Sequence, residues 1–237
     1  MKEDLQHTTD KRPQEETPSK RRGWLRRVPV LAAVLFVGAV VGAALTLLFF
    51  DKTPGDDSAE AGFARDMMVH HAQAVEMAEI LRDRTESEEM RTLAADISLT
   101  QQAQIGQMQG WLAVWGLPAT GVEPAMSWMG HPTSERMPGM ASPEEIEELR
   151  QAPPDEVDVR FLQLMIPHHQ AALPMAEAVL ERTDREEVER LAGAITASQE
   201  AEIEAMQDLL RNRGATVEEE PPTSDEDSHG DHDEHDG

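Results

Sequence analysis

Two blocks of methionine and histidine recur in this chain with identical spacing. The first holds Phe63, Met67, His70, His71 and Met77, and the second holds Phe161, Met165, His168, His169 and Met175. Thioether sulfur and imidazole nitrogen are soft and borderline donors, well matched to monovalent copper and poorly matched to hard cations. On a helix, residues three, four and seven apart share a side. Met67, His70, Ala74 and Met77 therefore form one stripe, with His71 one step round the cylinder, and Met165, His168, Ala172 and Met175 form its counterpart. Two such stripes brought to a bundle axis offer two Met and two His to a trigonal or tetrahedral soft-metal site. The competing reading is a duplicated core, because methionine fills irregular gaps readily. Histidine discriminates between them. A buried imidazole needs partners for its ring nitrogens, so an adjacent pair in both copies is a costly way to fill space. A polar structural pair or a pH-responsive patch is the remaining use for it.

Weaker donors lie elsewhere. Residues 117–141 carry Met126, Trp128, Met129, His131, Met137 and Met140 in a Pro- and Gly-containing stretch. These are either soft ligands in an exterior loop or a hydrophobic cap on a bundle end, and Trp128 offers a face to a bound cation. The C-terminus carries His229, His232 and His235 interleaved with Asp. Such tracts bind divalent copper, nickel or zinc as a compositional effect, and they equally serve as acidic solubilising tails.

The elements that must position the paired blocks are helices. Segments 63–116 and 161–214 align without a gap, about 21 of roughly 54 positions being identical. Tyr is absent and Phe scarce, which disfavours sheets. Apolar positions at helical spacing run to about Arg84, and a second helix ends at Gly116-Leu-Pro118. Thr85-Glu-Ser-Glu88 and Thr183-Asp-Arg-Glu186 read as capping boxes at matching offsets, and Ser142-Pro-Glu-Glu145 as a third. Pro167 and Pro174 predict a bend in the third long helix that the first, with Val69 and Glu76 there, lacks. The expected architecture is all-α: a four-helix bundle of two repeated hairpins over 58–214, packed about a pseudo-twofold axis.

Flanking segments set the location. Residues 1–27 are polar and basic towards their end, with Lys20, Arg21, Arg22, Arg26 and Arg27. Residues 28–50 carry no charge and suffice for one transmembrane helix. The basic side faces the cytoplasm, which puts the linker 51–57, the bundle and the acidic tail 215–237 outside the cell membrane. A cleaved signal peptide is the alternative, but its apolar stretch is shorter. From residue 51 onward there are about 13 basic and 41 acidic side chains; such a surface repels nucleic acid and attracts cations. With no cysteine, thiolate sites and disulfides are excluded. No Glu-x-x-His occurs in the bundle helices, as a di-iron bundle enzyme requires, and no nucleotide fingerprint or catalytic motif is visible.

The two Met–His–His blocks, together with Met137-Pro-Gly-Met140-Ala-Ser-Pro-Glu-Glu145 between them, resemble the domain-of-unknown-function family 305 over about 58–214. The resemblance implies a ferritin-like helical fold outside the cytoplasm and, for some members, copper binding through Met and His. It assigns ligand roles to Met67, His70, His71, Met77, Met165, His168, His169 and Met175. Val69 departs from the Ile-Pro-His-His pattern of the second block, which points to unequal halves. The sequence thus describes a membrane-anchored extracytoplasmic protein that binds copper for buffering, tolerance or delivery. A ferritin-like metal-dependent oxidoreductase and a metal-free helical interaction module are the alternatives.

Overall fold

The computed structural model describes residues 31–42 and 53–217, which fall into two units, 1–52 and 53–237. In the first unit a helix, α1, spans 31–42 with every residue exposed. Of the segment 28–50, expected as a transmembrane span, only 31–42 is described, and 28–30 and 43–50 lie outside the described residues. Among the described residues no helix is long and apolar enough to cross a membrane.

The second unit contains α2 (Ala59–Arg84), α3 (Glu88–Trp115), a short α4 (Pro143–Gln151), α5 (Val157–Leu180) and α6 (Glu186–Asn212). One 3₁₀ turn, Ser127–Met129, lies in the connection between α3 and α4. Ser58 caps α2 through Ala61 N, and Gly116 ends α3 in the left-handed conformation at φ 73°. Ser142, Pro143 and Glu145 form the full capping box that opens α4. Helix α5 continues through both Pro167 and Pro174. Ala215 and Val217 pack back on the core and Thr216 O accepts from Gln163, so these three residues of the expected tail segment belong to the packed bundle.

Helices α2 and α3 form one hairpin, α5 and α6 the other, and α2 packs on α5. Two apolar clusters fill the bundle. One joins Met77, Leu81 and Met90 to Phe161, Leu162, Met165 and Met206. The other joins Phe63, Met67 and Met108 to Met175, Val179 and Val188. The start of α2 thus meets the end of α5, and the reverse, so the two helices run antiparallel. Each of these residues has its repeat equivalent in the other cluster, as a pseudo-twofold axis demands.

The two threonine boxes are not formed. The N-caps of α3 and α6 are Ser87 and Arg185. Thr85 Oγ1 accepts from Ser87 N at 3.0 Å and donates to Asp158 Oδ1 at 2.6 Å. Thr183 Oγ1 accepts from Arg185 N at 3.1 Å and donates to Glu60 Oε1 at 3.0 Å. Each carboxylate sits in the first turn of the opposite hairpin's leading helix. A buried hydroxyl beside an ionised acceptor makes a charge-assisted bond, which takes the hydroxyl away from its own helix. The result is a reciprocal clasp between the hairpins.

Thr85→Val and Thr183→Val are each expected to remove about 1–2 kcal/mol of stability, whereas Thr92→Val, on an exposed face, should remove little. Urea unfolding midpoints of the three variants measure this. Equal midpoints would show that the clasp contributes nothing.

Candidate metal centre

The four paired histidines lie in the core where α2 crosses α5, and His70 and His168 touch across the crossing. His70, His71 and His169 are 0% exposed and His168 is 1% exposed. The His70 and His168 rings lie with centroids 3.8 Å apart and planes tilted by 34°, and His168 lies 6.2 Å from His169. The antiparallel crossing explains the meeting: equivalent positions near the middle of two helices must come together at a twofold axis.

Outer bonds hold only two of the rings. His71 Nε2 meets Gln104 Oε1 at 2.7 Å, and His169 Nε2 meets Glu202 Oε2 at 2.7 Å. Both nitrogens of His70 and of His168, and Nδ1 of His71 and of His169, are buried without a hydrogen-bond partner. Gln101 and Gln199, one turn before Gln104 and Glu202, are also buried with orphaned amide atoms. A cluster of unmet polar atoms in a bundle core needs a physical account. Ligation is the account that imidazole chemistry supplies.

The electrostatics favour neutral rings. Burial, and then the neighbouring His169, pushes the His70 pKa down to about 4. Burial, then His70, pushes His71 down to about 3, against the raising effect of its bond to Gln104. Burial, then the other imidazoles, holds His168 well below the ordinary value. A neutral imidazole is the ligating form.

The four methionines of the two stripes are divided between the two apolar clusters. Met67 and Met175 lie in one apolar cluster and Met77 and Met165 in the other. They flank the imidazole layer in pairs, because antiparallel packing sets the early Met of one stripe beside the late Met of the other. The connection is a cap. Met126 and Met137 are buried in the cluster of Met67 and Met175, and Met129 and Met140 pack against it. Trp128 packs edge-on against Phe63 and donates Nε1 to Asp66 Oδ2 at 2.8 Å. That carboxylate also accepts from Met126 N, and its pKa is raised by burial. His131 is exposed. His229, His232 and His235 lie outside the described residues.

The Met137–Met140 turn straddles α2 and α5 beside the imidazoles. Gln73 clamps Ala141 through two bonds of 2.7 and 2.9 Å. The Pro138 carbonyl faces His70 and raises its pKa slightly, short of hydrogen-bond geometry. Gly139, at φ 73°, rests on α5 so closely that a Cβ would stand 2.6 Å from Pro167 O and 2.5 Å from the Ala171 methyl. Only glycine fits there. On α2 the equivalent of Pro167 is Val69, which is exposed, because the Gly139 turn rests on the α5 position and not on its α2 counterpart.

Among the described residues no three His, Asp or Glu side chains converge as a metal-holding group. The carboxylate cage of a di-iron bundle is therefore not built. Gln101, Gln104, Gln199 and Glu202 escape a reading centred on the Met–His blocks. The repeat register exposes them, since each pair is polar at positions where both hairpins turn inward.

The Domain of unknown function (DUF305) family matches residues 60–210. The chain belongs to the DUF305 family. A DUF305 protein from Streptomyces coelicolor is 48% identical with a TM-score of 0.67, over 70% of this chain and all of that one. A DUF305 fragment from Deinococcus radiodurans is 38% identical with a TM-score of 0.57, over 65% of this chain and 96% of the fragment. CopM in its Cu(I)-bound form is 29% identical with a TM-score of 0.50, and in its Cu(II)-bound form 30% identical with a TM-score of 0.51. Each of these covers 65% of this chain and 96% or 97% of CopM. No curated protein matches the chain.

Depressed histidine pKa values fix a pH dependence of this DUF305 bundle. Below pH 6.5 the unfolded chain takes up protons that folded His70 and His71 refuse until about pH 4 and 3. Stability of the metal-free protein should therefore fall with pH across that window, by about 1.4 kcal/mol per unit for each histidine. His70→Leu should flatten the dependence. Urea midpoints at pH 7, 6 and 5 test it, and a constant midpoint would contradict the desolvation described.

Proposed function

We propose that this protein binds copper, chiefly as Cu(I), outside the cytoplasm, for buffering, tolerance or delivery. The observation that carries the reading is the stacked His70–His168 pair: fully buried, neutral, and without partners on any ring nitrogen. Structural rings are normally satisfied by hydrogen bonds; these are left free at the point where two helices supply four imidazoles. His70, His71, His168 and His169 are the proposed ligands. Met67, Met77, Met165 and Met175 flank them as soft donors, and Met126, Met129, Met137 and Met140 give the cap the same character. His131 and the tail His229, His232 and His235 are proposed as weaker outer sites for divalent ions. The structural likeness to CopM, solved in Cu(I)- and Cu(II)-bound forms, supports the choice of metal.

The anchor belongs to the same proposal. Residues 28–50 carry no charge, the basic cluster precedes them, and the described part is an apolar helix with Leu35 66% and Phe36 71% exposed. Lipid is the solvent that suits such a surface. The Streptomyces relative carries a secreted-protein description, in keeping with an exterior bundle. The proposed topology is single-pass, with the N-terminus cytoplasmic. A metal-transfer partner would meet the bundle on that outer side.

Replacing His70, His71, His168 and His169 together with Ala should weaken Cu(I) binding by at least roughly a hundredfold, about 2.7 kcal/mol. Deleting 218–237 should leave it unchanged. Competition with a chromogenic Cu(I) chelator measures both, with circular dichroism to confirm folding. Proton competition in the parent should set in towards pH 4, where His70 titrates, rather than at 6.5. A helical fourfold variant that holds copper as tightly as the parent would make these rings core residues.

A reporter fused after Gly237 should be active outside the cytoplasm. Activity confined to the cytoplasm would overturn the topology.

A further inference from the structure

The repeat makes α3 and α6 equivalent, yet the residues that hold the two outer imidazoles differ. His71 Nε2 faces an amide, Gln104, and His169 Nε2 faces a carboxylate, Glu202, both at 2.7 Å. Among the described residues Glu202 is the one carboxylate bonded to any of the four rings. We infer that Glu202 is a positioning residue that commits His169 to bind a monovalent cation through Nδ1, and that it makes the second half the stronger one. The inference rests on the copper reading and names how that site is set.

A carboxylate oxygen accepts hydrogen bonds and does not donate. The contacting His169 nitrogen, Nε2, must therefore carry a proton, which in the ligating, neutral form of the ring leaves the Nδ1 lone pair bare. That Nδ1 is buried and has no partner. An amide imposes no such choice, because Gln104 can turn either its oxygen or its nitrogen to His71. Charge acts in the same direction. A monovalent ion entering this buried layer of rings brings an uncompensated positive charge into a low-dielectric core, which is unfavourable. Glu202, its side chain 19% exposed, places a negative charge one imidazole away. The hydrogen bond also fixes the orientation of the ring, as outer carboxylates do for metal-binding histidines. Gln104 can orient His71 but supplies no charge.

The test compares the full chain with Glu202→Gln and, as a control for net charge, Glu200→Gln on the exposed face of the same helix. Two readouts are taken: the His169 tautomer of the metal-free protein, from long-range proton–nitrogen NMR correlations, and Cu(I) affinity, by chelator competition. The parent should show protonated Nε2 and bare Nδ1, and Glu202→Gln should show a mixture of tautomers. Its Cu(I) affinity should drop by about tenfold or more, and Glu200→Gln should match the parent in both readouts. A parent ring protonated on Nδ1 overturns the inference. So does a Glu202→Gln variant that binds Cu(I) as tightly as the parent, and that result leaves the copper function standing. A parent that binds no Cu(I) overturns the function and the inference together.

Discussion

A neutral imidazole at the centre of a helical bundle must settle the demands of two ring nitrogens without water. Here four buried imidazoles lie at the crossing of α2 and α5, and only two of their eight nitrogens have protein partners. Much of the remaining structure can be understood from that layer. Desolvation keeps His70, His71 and His168 uncharged. The two apolar clusters on either side keep it dry, and the Met137–Met140 turn closes it beside His70. Removing any of these would let solvent meet the orphaned nitrogens and relax the constraint that makes them available to a metal.

Rigidity of the layer depends on groups some distance from it. The Thr85–Asp158 and Thr183–Glu60 bonds fasten the hairpins at opposite ends of the bundle, so α2 and α5 cannot slide past each other. A shift of one residue would pull the His70 ring away from the His168 ring. The ends therefore fix the register that the middle requires, and methionine, which adapts its shape easily, fills the space between.

Much of this was legible in the chain. The repeat, the hairpin helices, the Ser142 box and the grouping of the four histidines follow from spacing and offset. The separation of the methionines into two flanking pairs did not, because a stripe on one helix does not reveal whether its partner runs parallel or antiparallel. The threonine boxes were misread for a related reason. Thr85 and Thr183 have the local pattern of caps, but their hydroxyls answer to carboxylates about 70 and 120 residues distant. Gln104 and Glu202 were hidden because an uncharged amide or a lone acid on a helix looks like surface until the facing histidine is known.

Pseudo-twofold symmetry within one chain differs in one respect from true symmetry between two. If a single hairpin paired with its own copy, every substitution would appear twice, and a carboxylate set against one outer imidazole would be set against the other as well. Two buried negative charges would then face one small cation. The connection between α3 and α5 joins the hairpins covalently and meets them unequally, held to α2 by Gln73 and resting on α5 at Gly139. That fusion releases the halves from identity, so that one can carry Glu202 and Pro167 while the other keeps Gln104 and Val69.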